Sequence, residues 1–439
     1  MTSSTTYSEA TPDKPANSAT RVATASFIGT AIEFYDFYVY ATAAALVIGP
    51  VFFPQTSGTA QMLSAFLTFG IAFLARPLGS FLFGHFGDRI GRKSTLVASL
   101  LLMGVCTTLI GVLPGYATIG AWAPILLCVL RFGQGLGLGG EWGGAALLAT
   151  ENAPKGKRAW YGMFPQLGPS IGFLAANGLF LILAMSLSDE QFRSWGWRIP
   201  FLLSSVLVLL GLWIRKDIDE TPDFQKVKAS GQVAKAPLRD TLKHHWREVL
   251  IAAGLKVVET APFYIFSTFV VSYATSTLTY QKSQALEAVT LGALVATVMI
   301  PLMGLLSDKI GRQRMYAASV FMLGLFIVPW FMLLNTGTTW GIVLATVIAF
   351  GVLWAPVTAV LGTLCSEIFS ANVRYTGISL GYQVGAALVG GPMPLIATAL
   401  MARYHGSYVP VAVFIALCAL VSLIAISFTK DRTGQPLDS

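Results

Sequence analysis

The sequence predicts an all-α polytopic membrane protein, with twelve transmembrane helices in two pseudo-symmetric six-helix bundles. Three observations carry that expectation: a shortage of charge, a count of apolar blocks and a loop motif that occurs twice. Of the 439 residues 54% are hydrophobic and only 11% charged, where an ordinary soluble domain has about 25% charged residues. So few charges cannot cover a water-facing surface of this size, and most of the surface must face lipid.

A helix crosses the hydrocarbon with about 20 apolar residues. Twelve blocks qualify, near 22–49, 62–84, 94–113, 122–148, 160–186, 198–215, 248–273, 286–306, 315–334, 340–365, 375–400 and 408–428. Residues 1–20 are polar, lack an apolar core and read as a disordered cytoplasmic tail, not a signal peptide. The charged stretch 216–247 separates an N-terminal bundle, 21–215, from a C-terminal one, 248–429, and 430–439 forms a second tail. With the N-terminus inside, 22 of the 29 basic residues fall in inner segments and four outside. This bias places both termini in the cytoplasm. The net charge of +8 is thus an orientation signal and not a nucleic-acid footprint.

The loop GHFGDRIGRK, Gly84 to Lys93, is echoed by GLLSDKIGRQR, Gly304 to Arg314, 220 residues later. Both fit G-x-x-x-D-[RK]-x-G-R, so the chain holds a parallel repeat of six spans. Gly84 and Gly304 allow close helix approach, and Gly91 and Gly311 a tight turn. Asp88 and Asp308 can accept from helix N-termini and from Arg92 and Arg312, with Arg89 beside them. The motif therefore reads as a charged latch at the seam between halves, against the plainer reading of a solvated basic loop.

Here the chain resembles the major facilitator superfamily, whose signature loop is this duplicated motif. Within it the metabolite:proton symporters, the group with the shikimate, α-ketoglutarate, citrate and proline/betaine carriers, are most similar. EFYDFYVY (33–40), FLARPLGS (73–80), RFGQGLGLGGEWGGAALLATENAP (131–154), SWGWRIPF (194–201) and SEIFSANVRYTG (366–377) carry that narrower likeness, which runs from about residue 21 to 430.

Ionisable groups inside spans are costly and are functional candidates by default. Glu33 and Asp36, spaced i, i+3, present two carboxylates on span 1 and are the candidate proton-coupling groups, or else members of a permanent ion pair. Arg131 lies roughly 13 Å below the outer end of span 4 and Asp36 roughly 20 Å below that of span 1, depths at which they can pair. The resemblance places both helices around a central cavity. Arg131, Arg76 and Lys256 are the candidate anion contacts, with Tyr40, Gln134, Gln166, Asn177, Tyr264 and Gln383 as further lining groups. Each has a bland alternative: Arg131 as a fixed partner of a span 1 carboxylate, Arg76 snorkelling, Lys256 neutralised by Glu259, the polar groups bonded to neighbouring helices. Glu141, Glu151 and Arg158, and Glu367 with Arg374, are candidate gate partners. Arg198, between Trp195 and Trp197, suits an interfacial anchor.

The glycines of 130–145 contain a G-x-G-x-x-G spacing at Gly135, Gly137 and Gly140, but no strand precedes it, so a nucleotide loop is excluded. Overlapping G-x-x-x-G pairs point to close helix packing instead. The four cysteines sit in apolar segments at unrelated spacings, and the four histidines form no metal-ligand pattern. Neither a P-loop nor a G-x-S-x-G occurs, so an enzyme is not expected. The resemblance implies proton-coupled symport of a small organic anion such as a mono- or dicarboxylate by alternating access. It calls for no cofactor beyond the proton gradient, and for the substrate, protons and bilayer as the partners of a monomer. A zwitterionic osmolyte is the alternative, although the chain ends soon after span 12 without the long helical extension of the osmosensing members. A drug exporter of the same fold ranks below both.

Overall fold

The computed structural model describes residues 19–54, 58–154, 156–216, 237–278, 280–371 and 373–433. The expected tails and linker fall mostly on 1–18, 217–236 and 434–439, outside the described residues. Span 1 comprises Ala19–Ala43, a π-helical turn Ala44–Ile48 and Gly49–Phe52; spans 2 to 4 are Gly58–Ile90, Arg92–Val112 and Trp122–Glu151. Span 5 is Arg158–Gly162 with Phe164–Ser186, and span 6 is Ile199–Arg215. In the second half, span 7 runs through Trp246–Tyr264, a π-turn Ile265–Phe269 and Val270–Ser276, followed by span 8, Lys282–Ile310, and span 9, Arg312–Leu334. Span 10 joins Thr339–Thr346 to Trp354–Ile368 through the π-segment Val347–Leu353, span 11 is Arg374–Val389 with Met393–Arg403, and span 12 is Val409–Ser427.

Nine helices among the described residues are long and apolar enough to cross a membrane. Spans 1, 5 and 11 make up the twelve. Arg21, Glu33 and Asp36 lower the hydropathy of span 1, Pro165, Gln166 and Asn177 that of span 5, and Gly390, Gly391 and Pro392 divide span 11. Apolar side chains stand outward, among them Leu74 at 77% exposure and Trp340 at 76%. Such a surface suits lipid and not water.

The two halves repeat one packing plan. Span 1 lies on 5 as 7 lies on 11; span 2 lies on 4 as 8 lies on 10; span 3 lies on 6 as 9 lies on 12. The halves meet where span 2 packs on 11 and span 8 on 5, and the motif glycines stand there. A Cβ on Gly84 would come within 2.9 Å of the Thr376 Cα, and one on Gly304 within 2.9 Å of the Met163 Cγ. Gly91 and Gly311, at φ 122° and 97°, make the turns into spans 3 and 9, in a region only glycine enters freely.

The stretch 216–247 is not linker throughout. Pro237–His244 is helical and lies against spans 2 and 11 with Thr241 buried. Beyond span 12, Thr433 accepts from the Arg312 main-chain N–H at 3.4 Å and Asp431 accepts from Thr433. Partial burial alone would raise the Asp431 carboxyl. The Thr433 hydrogen bonds and the nearby Arg312 and Arg314 outweigh that and hold it below the usual carboxylate range.

Span 4 approaches span 2 so closely that a Cβ on Gly139 would stand 2.1 Å from the Arg76 carbonyl oxygen. Gly70, on span 2, has open space instead. Gly139→Ala is expected to cost about 1–3 kcal/mol by overpacking and to lower the melting temperature in detergent, whereas Gly70→Ala leaves it unchanged. Thermal unfolding of the purified variants checks this.

Candidate functional site

A small cavity, with ≈ 30 Å³ of room, lies at mid-depth between the halves. Arg76, Leu138 and Trp142 line it from the first half, and Lys256, Glu259, Tyr264, Tyr382 and Gln383 from the second, with Tyr38, Phe263 and Trp354 as further aromatic wall. Of the residues singled out in the sequence, the structure thus brings together Arg76, Lys256, Tyr264 and Gln383.

Arg76 is 5% exposed, and its guanidinium lies over the rings of Phe73 and Phe37, 4.0 and 4.3 Å from their centroids. Tyr264 lies beside it. Its Nε and Nη2 are buried without a hydrogen-bond partner among the described residues. These two N–H groups form one edge of the guanidinium, the fork that takes both oxygens of a carboxylate. Pro77 follows Arg76 inside the helix, and Gly139 presses on its carbonyl. The side chain faces the cavity and does not snorkel to the interface.

Lys256 pairs with Glu259 one turn on and stands 3.7 Å from the centroid of Tyr382. Glu259 also accepts from the hydroxyls of Thr260 and Thr358 at 3.0 and 3.3 Å, and its carbonyl accepts from the Trp354 indole N–H at 2.7 Å. With Lys256 and Glu259 offsetting one another, Arg76 leaves the cavity one positive charge.

The other sequence candidates lie elsewhere. Arg131 does not pair with Asp36. Its guanidinium donates to Gln134 Oε1 at 2.6 Å and to the carbonyls of Thr68 and Phe69, and lies 3.8 Å from the centroid of Tyr40. Tyr40 is bound in turn to Thr68. Gln134 donates to the Thr107 hydroxyl at 2.6 Å, and Asp36 lies buried beside Thr107 and Ser204. The hydrogen bonds of the arginine run through Gln134 to Thr107, whose hydroxyl donates to the Met103 carbonyl and not to Asp36. Glu33 is fully buried one turn nearer the signature loops. Gln166 accepts from the Trp142 indole at 2.7 Å and donates to the Thr358 carbonyl at 2.8 Å, while Asn177 accepts from Thr42 at 2.6 Å. Both are helix-to-helix ties. Arg198 donates to the carbonyls of Gly111 and Leu113 that end span 3.

Two layers close the cavity on the face of the signature loops. Trp142 and Tyr382 stack with centroids 3.3 Å apart, eight or nine residues, or roughly 12–14 Å, from their helix ends. Beyond them charges cross the seam. Asp308 accepts from the main-chain N–H groups of Ala159 and Trp160, at 3.0 and 2.9 Å, at the start of span 5. It also pairs with Arg312 at 3.1 Å. Glu367 pairs with Arg312 at 2.7 Å and Arg158 at 3.1 Å, and Glu151 with Arg374 at 3.1 Å. The sequence groups Glu141, Glu151 and Arg158 at one helix end and Glu367 with Arg374 at another; in the structure Arg158 reaches Glu367 and Arg374 reaches Glu151, so these two pairs join the halves. Arg89 shares an exposed contact with His85. The side chains of Asp88, Arg92 and Glu141 lie outside the described residues. The residues that sequence reasoning passes over are the aromatic ones, above all Trp142 and Tyr382. A tryptophan between two glycine pairs in GGEWGG was the available signal for the first.

Two matching six-helix bundles around a polar mid-depth cavity, shut on one face by bonds that cross the seam, are the architecture of an alternating-access carrier. Residues 22–249 match the family model described as sugar (and other) transporter, and residues 145–379 that described as MFS/sugar transport protein. The chain is 46% identical over 431 residues to the inner membrane metabolite transport protein YhjE of Escherichia coli K12, covering 96% of this chain and 97% of that one. It is 40% identical to the shikimate transporter of the same organism, covering 94% and 95%, and 32% identical to the proline/betaine transporter of Salmonella typhimurium, covering 94% and 84%. Among solved structures, the proton:xylose symporter XylE bound to 6-bromo-6-deoxy-D-glucose superposes with a TM-score of 0.73 at 18% identity, covering 96% and 98%. The chain belongs to the major facilitator superfamily. Within it, it is a multi-pass metabolite transporter and not an enzyme.

Glu367 pairs with Arg158 across the seam and with Arg312 in its own half, so Glu367→Gln is expected to loosen the closed face. Spin labels at Lys157 and Arg314 should then report a longer-distance population by double electron–electron resonance, absent from the otherwise unsubstituted labelled protein.

Proposed function

We propose that this chain is a proton-coupled symporter of a small organic anion, working by alternating access in the inner membrane with both termini in the cytoplasm. One observation carries the substrate class: the Nε/Nη2 edge of Arg76, buried in the cavity with no hydrogen-bond partner among the described residues. A guanidinium edge so placed is completed by a carboxylate, and the surplus positive charge favours an anion over a neutral solute. The shikimate transporter among the relatives fits this class. Asp36 is the proton carrier in this reading. It is buried in span 1 with no ion pair among the described residues, where a carboxylic acid that binds a proton sits uncharged in the hydrocarbon. The proton gradient is the only energy source, and a single chain contains the whole pathway.

A second reading, a zwitterionic osmolyte, draws on the aromatic wall of Tyr38, Trp142, Phe263, Trp354 and Tyr382, surfaces that hold quaternary ammonium by cation–π attraction. Competition in proteoliposomes between labelled carboxylates and betaine separates the two.

Uptake of labelled organic acids under an imposed inward proton gradient tests the leading reading. Asp36→Asn should abolish accumulation while leaving counterflow exchange; accumulation at the wild-type level would remove Asp36 from coupling. Arg76→Lys keeps the charge but loses the planar fork, so kcat/KM is expected to fall about tenfold or more. Unchanged kinetics would show that the anion binds elsewhere.

A further inference from the structure

Resting on the anion reading above, we propose that the cavity is built for a hydroxylated monocarboxylate, and that Gln383 is the residue that reads the hydroxyl. Gln383 is 2% exposed and lines the same cavity as Arg76. Its Nε2 donates to the main-chain carbonyl of Leu138, across the seam, at 3.2 Å. A carbonyl only accepts, so this bond fixes which end of the amide is which. The oxygen must point the other way. That atom, Oε1, is buried and has no hydrogen-bond partner among the described residues.

The cavity therefore presents two unanswered functions of opposite sense, a donor fork on Arg76 and a single acceptor on Gln383. Each is costly to leave buried and unmet. One ligand answers both if it carries a carboxylate at one end and an O–H donor at the other, on a carbon skeleton that can lie against Trp142 and Tyr382. A second carboxylate finds no second free fork, because Lys256 is held by Glu259 and the Tyr382 ring. Betaine has no N–H to give to Gln383. An amino acid has one, but its ammonium would enter a cavity of net positive charge.

The test uses the full chain in proteoliposomes, with matched competitors against the transported acid: 3-hydroxycyclohexanecarboxylate with cyclohexanecarboxylate, 3-hydroxybutyrate with butyrate, and proline. The hydroxylated member of at least one pair is expected to bind about tenfold or more tightly, and Gln383→Met to collapse that ratio while both members still bind. Equal affinities within both pairs in the wild type would overturn the inference and leave the anion reading standing. A ratio that persists in Gln383→Met would also overturn it, since the hydroxyl would then be read elsewhere. Proline binding more tightly than every hydroxy acid would overturn it in favour of a zwitterion, and binding of no carboxylate at all would defeat the anion reading itself. If Gln383→Met fails to fold, Gln383→Leu takes its place for the residue, while the wild-type ratios still test the ligand class.

Discussion

A cation placed in hydrocarbon must be answered by something other than water, and much of this structure follows from how five buried cations are answered. Arg312 and Arg374 are met by carboxylates, Lys256 by Glu259 and a ring, and Arg131 by an amide, two carbonyls and a ring. Arg76 has ring faces and a tyrosine beside it, and an open edge. The first four each have a carboxylate, amide or carbonyl partner that ties helices together, although the Nε of Arg312 is left without one among the described residues. Arg76 alone has neither a carboxylate nor an amide against its whole Nε/Nη2 edge among the described residues, and on the proposed reading a ligand carboxylate completes it.

The same accounting shows why charge position along the sequence separates these roles poorly. Depth was legible: Asp36, Arg76, Arg131 and Lys256 all fall inside spans, and the count of apolar blocks recovers the twelve spans. Azimuth was not. Arg131 and Asp36 stand at similar heights, yet Gln134 takes the guanidinium and Thr107 lies between it and the acid. Which way a side chain turns depends on helix rotation, and in a helix rich in glycine little in the sequence fixes it. The π-turns of spans 1, 7 and 10 add a further shift in register that no apolar block betrays.

The repeated loop was more legible because its chemistry is local. The D-[RK]-x-G-R spacing sets an aspartate one turn before an arginine and a left-handed glycine between them, and Asp308, Gly311 and Arg312 realise this. What the spacing could not show is that Asp308 also caps the start of span 5 in the other half, or that Glu367 takes Arg158, and Glu151 takes Arg374, across the seam. Contacts between residues some 150 to 220 positions apart leave no trace in a single sequence.

The cavity and the closed face are mechanically joined. Lys256 holds the ion pair on one side and lies on Tyr382 on the other, and Tyr382 stacks on Trp142, whose indole is tied through Gln166 to Thr358. Thr358 in turn donates to Glu259. The loop of contacts runs from the ion pair through both halves and back, so a ligand that shifts Lys256 or Glu259 also loosens the aromatic stack. Packed interfaces of this kind have discrete arrangements and do not deform smoothly. On the proposed alternating-access reading, this one network links closure at the signature loops to what occupies the cavity, the linkage a carrier needs if it is never to open both faces at once.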